Sequence, residues 1–208
     1  METVACLQNE SISHGFFDAK ESAKLQNLIL MNQVHSADVL FIDAPCAEAP
    51  QVDALITKTP QLALAVKTAD CAPVLLFEPK SKIVAAIHAG WKGAFQGVIE
   101  NTILKMIEVG ADVSYLMAGI GPHIQKESFE ADEKMKALFP VTEHHFFEKV
   151  GEGRYHFDFH GYVVYRLKRA GVKFIDSVLI DTYQNNQYLS YRRDPSNPAR
   201  QFSVIMLK

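Results

Sequence analysis

Short, unbroken apolar runs dominate the first half of the chain, each closed by a polar or turn-forming residue. Leu28-Ile29-Leu30-Met31, Val39-Leu40-Phe41-Ile42, Ala54-Leu55-Ile56-Thr57 and Leu62-Ala63-Leu64-Ala65-Val66 have strand length, and Pro60 separates the last two. Val74-Leu75-Leu76-Phe77 and Ile83-Val84-Ala85-Ala86-Ile87 flank Glu78-Pro79-Lys80-Ser81, whose composition predicts a hairpin turn. Several runs lack polar alternation, which predicts strands buried on both faces.

The period then lengthens. From Gly93, the residues Phe95, Val98, Ile99, Ile103, Met106 and Ile107 recur at helical spacing, predicting one amphipathic helix that Gly110 stops. Residues 115–118 read as a strand ending in Gly119-Ile120-Gly121-Pro122, and residues 131–138 and 159–170 read as helices. Val178-Leu179-Ile180 and Phe202-Ser203-Val204-Ile205-Met206 close the chain as strands. Strands and helices mix without strict alternation, so the fold class is α+β. With no repeat, low-complexity tract or linker, the reading is one domain over residues 1–208.

Composition narrows the function classes. With 48% hydrophobic and 22% charged residues, the chain is an ordinary globular sequence. A net charge of -3 lacks the basic footprint of a nucleic-acid binder. No apolar run approaches the roughly 18 residues that span a bilayer. Met1-Glu2-Thr3-Val4 does not begin as a secretory signal does, and Cys6, Cys46 and Cys71 are too sparse for a disulfide framework. The expectation is a cytoplasmic protein with reduced thiols, bound to neither nucleic acid nor membrane.

The chemistry gathers at three turns. His35 closes Met31-Asn32-Gln33-Val34-His35, Cys71 ends Lys67-Thr68-Ala69-Asp70-Cys71, and His88 opens His88-Ala89-Gly90-Trp91-Lys92-Gly93. Two imidazoles and a thiolate suit zinc, and three protein ligands leave a coordination position open for catalysis. A lone Cys is more often a small buried apolar residue, so convergence is the point at issue. Asp70 stands beside Cys71, where it can orient a ligand or accept a proton. The turn from His88 into a helix beside Lys92 offers an anion pocket suited to phosphate; the plainer alternative is a helix start with a solvated lysine. Arg192 and Arg193 in Tyr191-Arg192-Arg193-Asp194 suit phosphate or carboxylate, or else an ion pair with Asp194 closes a loop. His123 follows the Gly-Pro turn and can point into the same pocket, whereas His14, His144, His145, His156 and His160 carry no assigned role.

Five motifs in order, Asn32-Gln33-Val34-His35, Thr68-Ala69-Asp70-Cys71-Ala72-Pro73-Val74, His88-Ala89-Gly90-Trp91-Lys92-Gly93, Gly119-Ile120-Gly121-Pro122 and Ser190-Tyr191-Arg192-Arg193-Asp194, resemble the YfiH family. That family is also labelled multicopper polyphenol oxidase or laccase-domain. The resemblance implies a four-layer α/β/β/α sandwich and zinc held by His35, Cys71 and His88. It implies phosphorolysis of adenosine, inosine, guanosine and methylthioadenosine, plus adenosine deamination. Between His14-Gly15-Phe16-Phe17 and His35 the chain departs from the family, with a shorter connection in place of a glycine-rich segment.

On this reading the partners are purine nucleosides and phosphate, with a monomer or homodimer left open. Zinc lowers the pKa of a bound water toward ~7 for deamination, and Asp70 or His123 moves protons. Lys92, Arg192 and Arg193 position phosphate against the ribose. Three alternatives stand beside it: copper (Cu2+) in the same ligands oxidising phenols, a hydrolase using Cys71 as nucleophile and His88 as base, and a zinc-binding homologue without turnover.

Overall fold

The computed structural model describes residues 1–208. Its strands are β1 (Ile12–Phe16), β2 (Val39–Phe41), β3 (Ala54–Thr57), β4 (Leu64–Thr68), β5 (Ala72–Glu78), β6 (Ile83–Ala89), β7 (Met117–Ile120), β8 (Glu130–Asp132), β9 (Phe147–Gly151), β10 (Arg154–Phe157), β11 (Phe174–Ser177) and β12 (Gln201–Leu207). The helices are α1 (Ala19–Ser22), α2 (Trp91–Gln96), α3 (Val98–Glu108), α4 (Glu133–Leu138) and α5 (Phe159–Arg169).

A mixed six-stranded sheet runs β11-β7-β5-β6-β3-β2, and two three-stranded sheets run β1-β12-β4 and β8-β10-β9. Both faces of the six-stranded sheet are covered, which explains its unalternating apolar runs. Val74 and Leu76 of β5 face one core with α2, α3 and α5, whereas Leu75 and Phe77 face a second core. That second core is closed by Ile12 and Phe16 of β1, Leu64 and Val66 of β4, and Ile205 and Leu207 of β12. Helices therefore pack on one face of the six-stranded sheet and the β1-β12-β4 sheet on the other, and α1 is a single turn beside the start of β12. α1 is tied to β12 by a hydrogen bond from the Phe202 backbone to Ser22 Oγ, at 2.9 Å.

The long helix expected after Gly93 is two helices. Gly97 sits at φ +102°, a left-handed conformation that glycine adopts without steric cost, and its N–H caps α2 by reaching back to Gly93 O and Ala94 O. Val98, Ile99, Ile103 and Met106 of the expected stripe are buried, while Ile107 faces solvent. Residues 28–31 are not a strand; Ile29 bridges Leu64 alone, and Met31 plugs the second core. Residues 178–180 are likewise irregular, because the preceding Phe174–Ser177 pairs with β7 instead. The helix read at residues 131–138 begins later, since Asp132 ends β8 and caps α4 through Met135 N.

Candidate metal centre

Strand register assembles most of the centre. β5 and β6 pair Pro73 with His88, and β3 and β6 pair Ala54 with Ile87. Cys71 lies two residues before Pro73, and Asp53 one before Ala54. Alternation of side chains puts Cys71, His88 and Asp53 on one face at one end of the sheet. His35 arrives on a separate loop, in a left-handed conformation at φ +59° that is uncommon for a non-glycine residue.

Asp53 contacts that loop. Its carboxylate accepts from the backbone N–H groups of Val34, His35 and Ser36 at 3.2, 3.0 and 2.6 Å, and from Ser36 Oγ at 2.9 Å. The same carboxylate accepts from His88 Nδ1 at 2.7 Å, leaving His88 Nε2 free for a ligand. Burial opposes charge on Asp53, but the bonds from His88 and Ser36 outweigh it and pull its pKa down to about 2. Burial likewise opposes charge on His88, yet the neighbouring Cys71 sulfur and Asp53 raise it to about 9. At His35 partial burial, reinforced by His88, lowers the pKa.

The ligand atoms of His35, Cys71 and His88 all lie within 4.8 Å of one another, and no other group of three such side chains forms in the chain. The two imidazoles meet edge to face at 4.8 Å. Gly90 closes the back of the site: a Cβ there would stand 2.4 Å from His35 Nδ1 and 3.3 Å from Cys71 Sγ. The donor set and its spacing fit zinc, whose bonds to nitrogen and sulfur are about 2.0–2.3 Å.

The triad floors a cleft of about 900 Å³. Trp91, Phe129, Phe159 and Tyr191 give it aromatic surface, and Lys67, Lys92, Arg192 and Arg200 give it positive charge. Lys92 is exposed on the first turn of α2, a helix of six residues that brings little dipole to the site. Arg192 lies 5.5 Å from the Phe129 ring centre and donates to Glu130 O at 2.9 Å.

Three expected site residues are placed differently. Arg193 donates to the carbonyls of Thr182 and Tyr183 at 2.7 and 2.9 Å, and also to Tyr188 O, so its guanidinium holds a loop together. Asp70, at φ +83°, accepts from Thr182 Oγ1 at 2.7 Å, Ser190 Oγ at 3.0 Å and Arg192 N at 2.7 Å. It anchors the cleft rim with oxygens already occupied. His123 is fully buried, joined through Nδ1 to Gly121 O at 2.7 Å and stacked on His160 at 5.3 Å. Enclosure keeps it from the cleft surface, and burial pushes its pKa down to about 4.

Asp53 lies outside every motif, while Lys67 opens the Cys71 run and Arg200 ends Pro198-Ala199-Arg200, neither with an assigned role. Asp53 had one signal, an acid set directly against the apolar run Ala54-Leu55-Ile56. A carboxylate buried there requires partners.

Residues 9–208 match the family described as multi-copper polyphenol oxidoreductase laccase, and the chain belongs to that family. It is 39% identical over 193 residues to a purine nucleoside phosphorylase of Rickettsia conorii, covering 88% of this chain and 80% of the relative. A purine nucleoside phosphorylase of Streptomyces coelicolor is 39% identical over 169 residues, covering 80% and 70%. The solved structure of a Neisseria meningitidis protein superposes with a TM-score of 0.81 at 34% identity, over 87% of this chain and 75% of that one. Bacillus licheniformis YfiH gives 0.80 at 27% identity, over 88% and 74%. No helix is long and apolar enough to cross a membrane.

Proposed function

We propose that this protein is a zinc-dependent purine nucleoside phosphorylase acting on adenosine, inosine, guanosine and methylthioadenosine, with adenosine deamination as a second activity of the same centre. The observation that carries the reading is the convergence of His35, Cys71 and His88 on the floor of a cleft that is both aromatic and cationic. Relatives that bear the name purine nucleoside phosphorylase support it.

His35, Cys71 and His88 would hold the metal, and Asp53 fixes the tautomer and direction of His88. When bound, zinc supplies a Lewis acid at the cleft floor. Trp91, Phe129 and Tyr191 offer flat surfaces to a purine, and Lys92 and Arg192 bring charge to the substrate. In phosphorolysis a phosphate oxygen bonds to the ribose C1′ as the C1′–N9 bond breaks. The electron pair of that bond leaves with the purine, which takes up a proton. The cationic lining favours the anionic nucleophile, and the aromatic walls hold the purine so that the ribose faces it. Free cysteines suit a reducing compartment, and we place the protein in the cytoplasm.

The family's description raises copper oxidase chemistry. A multicopper enzyme assembles several centres, whereas one three-ligand group is present here, which favours a single zinc. The deciding experiment is elemental analysis of protein made without added copper, joined to product analysis with adenosine and phosphate. His35→Ala, Cys71→Ala and His88→Ala should each lose metal and turnover together. Zinc-loaded protein that releases no adenine, inosine, hypoxanthine or ribose-1-phosphate would overturn the proposal.

A further inference from the structure

We infer that Lys67 and Arg200 form the inorganic-phosphate subsite of the cleft. The inference takes its reacting partner from the phosphorolysis reading, but phosphate binding at this place can be measured without turnover.

The sheet brings the two cations together. β4 and β12 pair Lys67 with Phe202 and Thr68 with Gln201. One step further along this register sets Arg200 across from Ala69. Residues two apart in a strand share a face, so Lys67 and Arg200 are diagonal neighbours on the same face. Both line the cleft that holds the metal triad, and both are half-buried.

Neither cation is neutralised by the protein. The ion pairs of the chain involve the N-terminus, His88, Lys105, Lys126, Arg166, Arg169 and Arg192, and leave Lys67 and Arg200 without a carboxylate. The acid that shares the cleft, Asp70, already accepts from Thr182, Ser190 and the Arg192 backbone. Holding two partly desolvated cations side by side is unfavourable unless an anion joins them.

The pair is also positioned for a tetrahedral oxyanion. Arg200 Nη1 donates to Asn197 O at 3.0 Å and Ala199 O at 2.6 Å, fixing the guanidinium plane while Nε and Nη2 keep their donors. A planar fork beside an ammonium group matches a phosphate dianion. Gln33 clamps Lys67 in place, donating from Nε2 to Lys67 O at 2.7 Å and accepting from Lys67 N at 2.8 Å. Gln33 lies two residues before His35, so one loop spaces the anion subsite from the metal ligand.

The other cations differ. Arg192 donates to Glu130 O and lies 3.8 Å from the Glu130 carboxylate, Arg193 commits both terminal nitrogens to the carbonyls of Thr182, Tyr183 and Tyr188, and Lys92 is an exposed lysine on α2 with no paired cation beside it.

Isothermal titration of the zinc-loaded protein with inorganic phosphate tests the assignment, alongside steady-state kinetics with inosine. Lys67→Met and Arg200→Met should each weaken phosphate binding and raise the KM for phosphate about tenfold or more, with the KM for inosine held. Arg200→Lys, which keeps charge but loses the fork, should fall between wild type and Arg200→Met. Zinc content and cooperative unfolding report that each variant is folded, and Lys67→Gln is the milder substitute where Lys67→Met is not. Wild-type phosphate affinity in both variants would overturn the assignment. So would loss of adenosine 5′-monophosphate binding with inorganic phosphate untouched, because the subsite would then serve an ester. If the wild-type protein binds phosphate through these residues but cleaves no nucleoside, the functional reading fails and the subsite stands.

Discussion

The Asp53 carboxylate accepts a 2.7 Å hydrogen bond from His88 Nδ1 while also receiving the backbone amide of His35 at 3.0 Å. One fully buried acid therefore aims one imidazole of the candidate metal centre and contacts the loop that carries the other. Asp53→Ala would strand three loop amides and free the His88 ring. We expect zinc affinity to fall 10–100-fold, by the order of magnitude for such orienting partners, and stability to fall by about 3 kcal/mol. Competition with a chromophoric chelator and urea unfolding measure the two; unchanged zinc affinity would refute the orienting role.

Gly90 has an ordinary extended backbone at φ -74°, so alanine is tolerated there by the chain itself. The added methyl would sit 2.4 Å from His35 Nδ1. Gly90→Ala should therefore remain folded yet lose its metal. Elemental analysis beside circular dichroism checks this, and full zinc occupancy in the variant would show that His35 is not a ligand.

Acid should destabilise the fold through His123. Its folded pKa is pushed to about 4 by burial, below the 6.5 of an open chain, so the unfolded state takes up the proton first. The stabilising contribution is complete above pH 6.5 and is lost as pH falls through about 4, a total of about 3 kcal/mol. His160, stacked on it, is lowered by burial as well and acts in the same direction. Urea midpoints of chelator-treated protein between pH 7.5 and pH 4.5 read this out, and His123→Phe should flatten the slope.

Arg166 is buried where α5 crosses α3, donating from Nε to Glu100 and from Nη1 to Tyr162 Oη at 2.6 Å and Phe95 O at 3.2 Å. Arg166→Met leaves Glu100 uncompensated. We expect a loss of about 3–5 kcal/mol in unfolding free energy with zinc content preserved, because the pair lies outside the metal cleft. A variant as stable as wild type would show that the pair contributes packing alone.

Much of the fold was legible because its cause is local. The unalternating runs that became β3, β5 and β6 state in their own composition that both faces are covered, and Glu78-Pro79-Lys80-Ser81 does turn the β5–β6 hairpin. Charged strands such as β9, with Glu148 and Lys149, were illegible because their pairing is supplied by β10 rather than by apolar pattern. Gly97 read as part of a continuous helical stripe, since periodicity counts side chains and cannot see a positive φ.

What this chain's sequence settled alone was donor chemistry: a thiol and two imidazoles in turns that follow apolar runs, in a chain of net charge -3. What only tertiary structure decided was direction. Asp70 is engaged by residues 112, 120 and 122 positions away, and Asp53 meets His88 across 35, so no local pattern announces which oxygen or nitrogen remains open. Arg193 and His123 carry suitable chemistry and are turned to structural work by carbonyls that arrive with the fold, while Lys67 and Arg200 become neighbours only through a strand register. Residue type is written in the chain, but whether a polar atom keeps a free valence depends on which distant partner reaches it first in space.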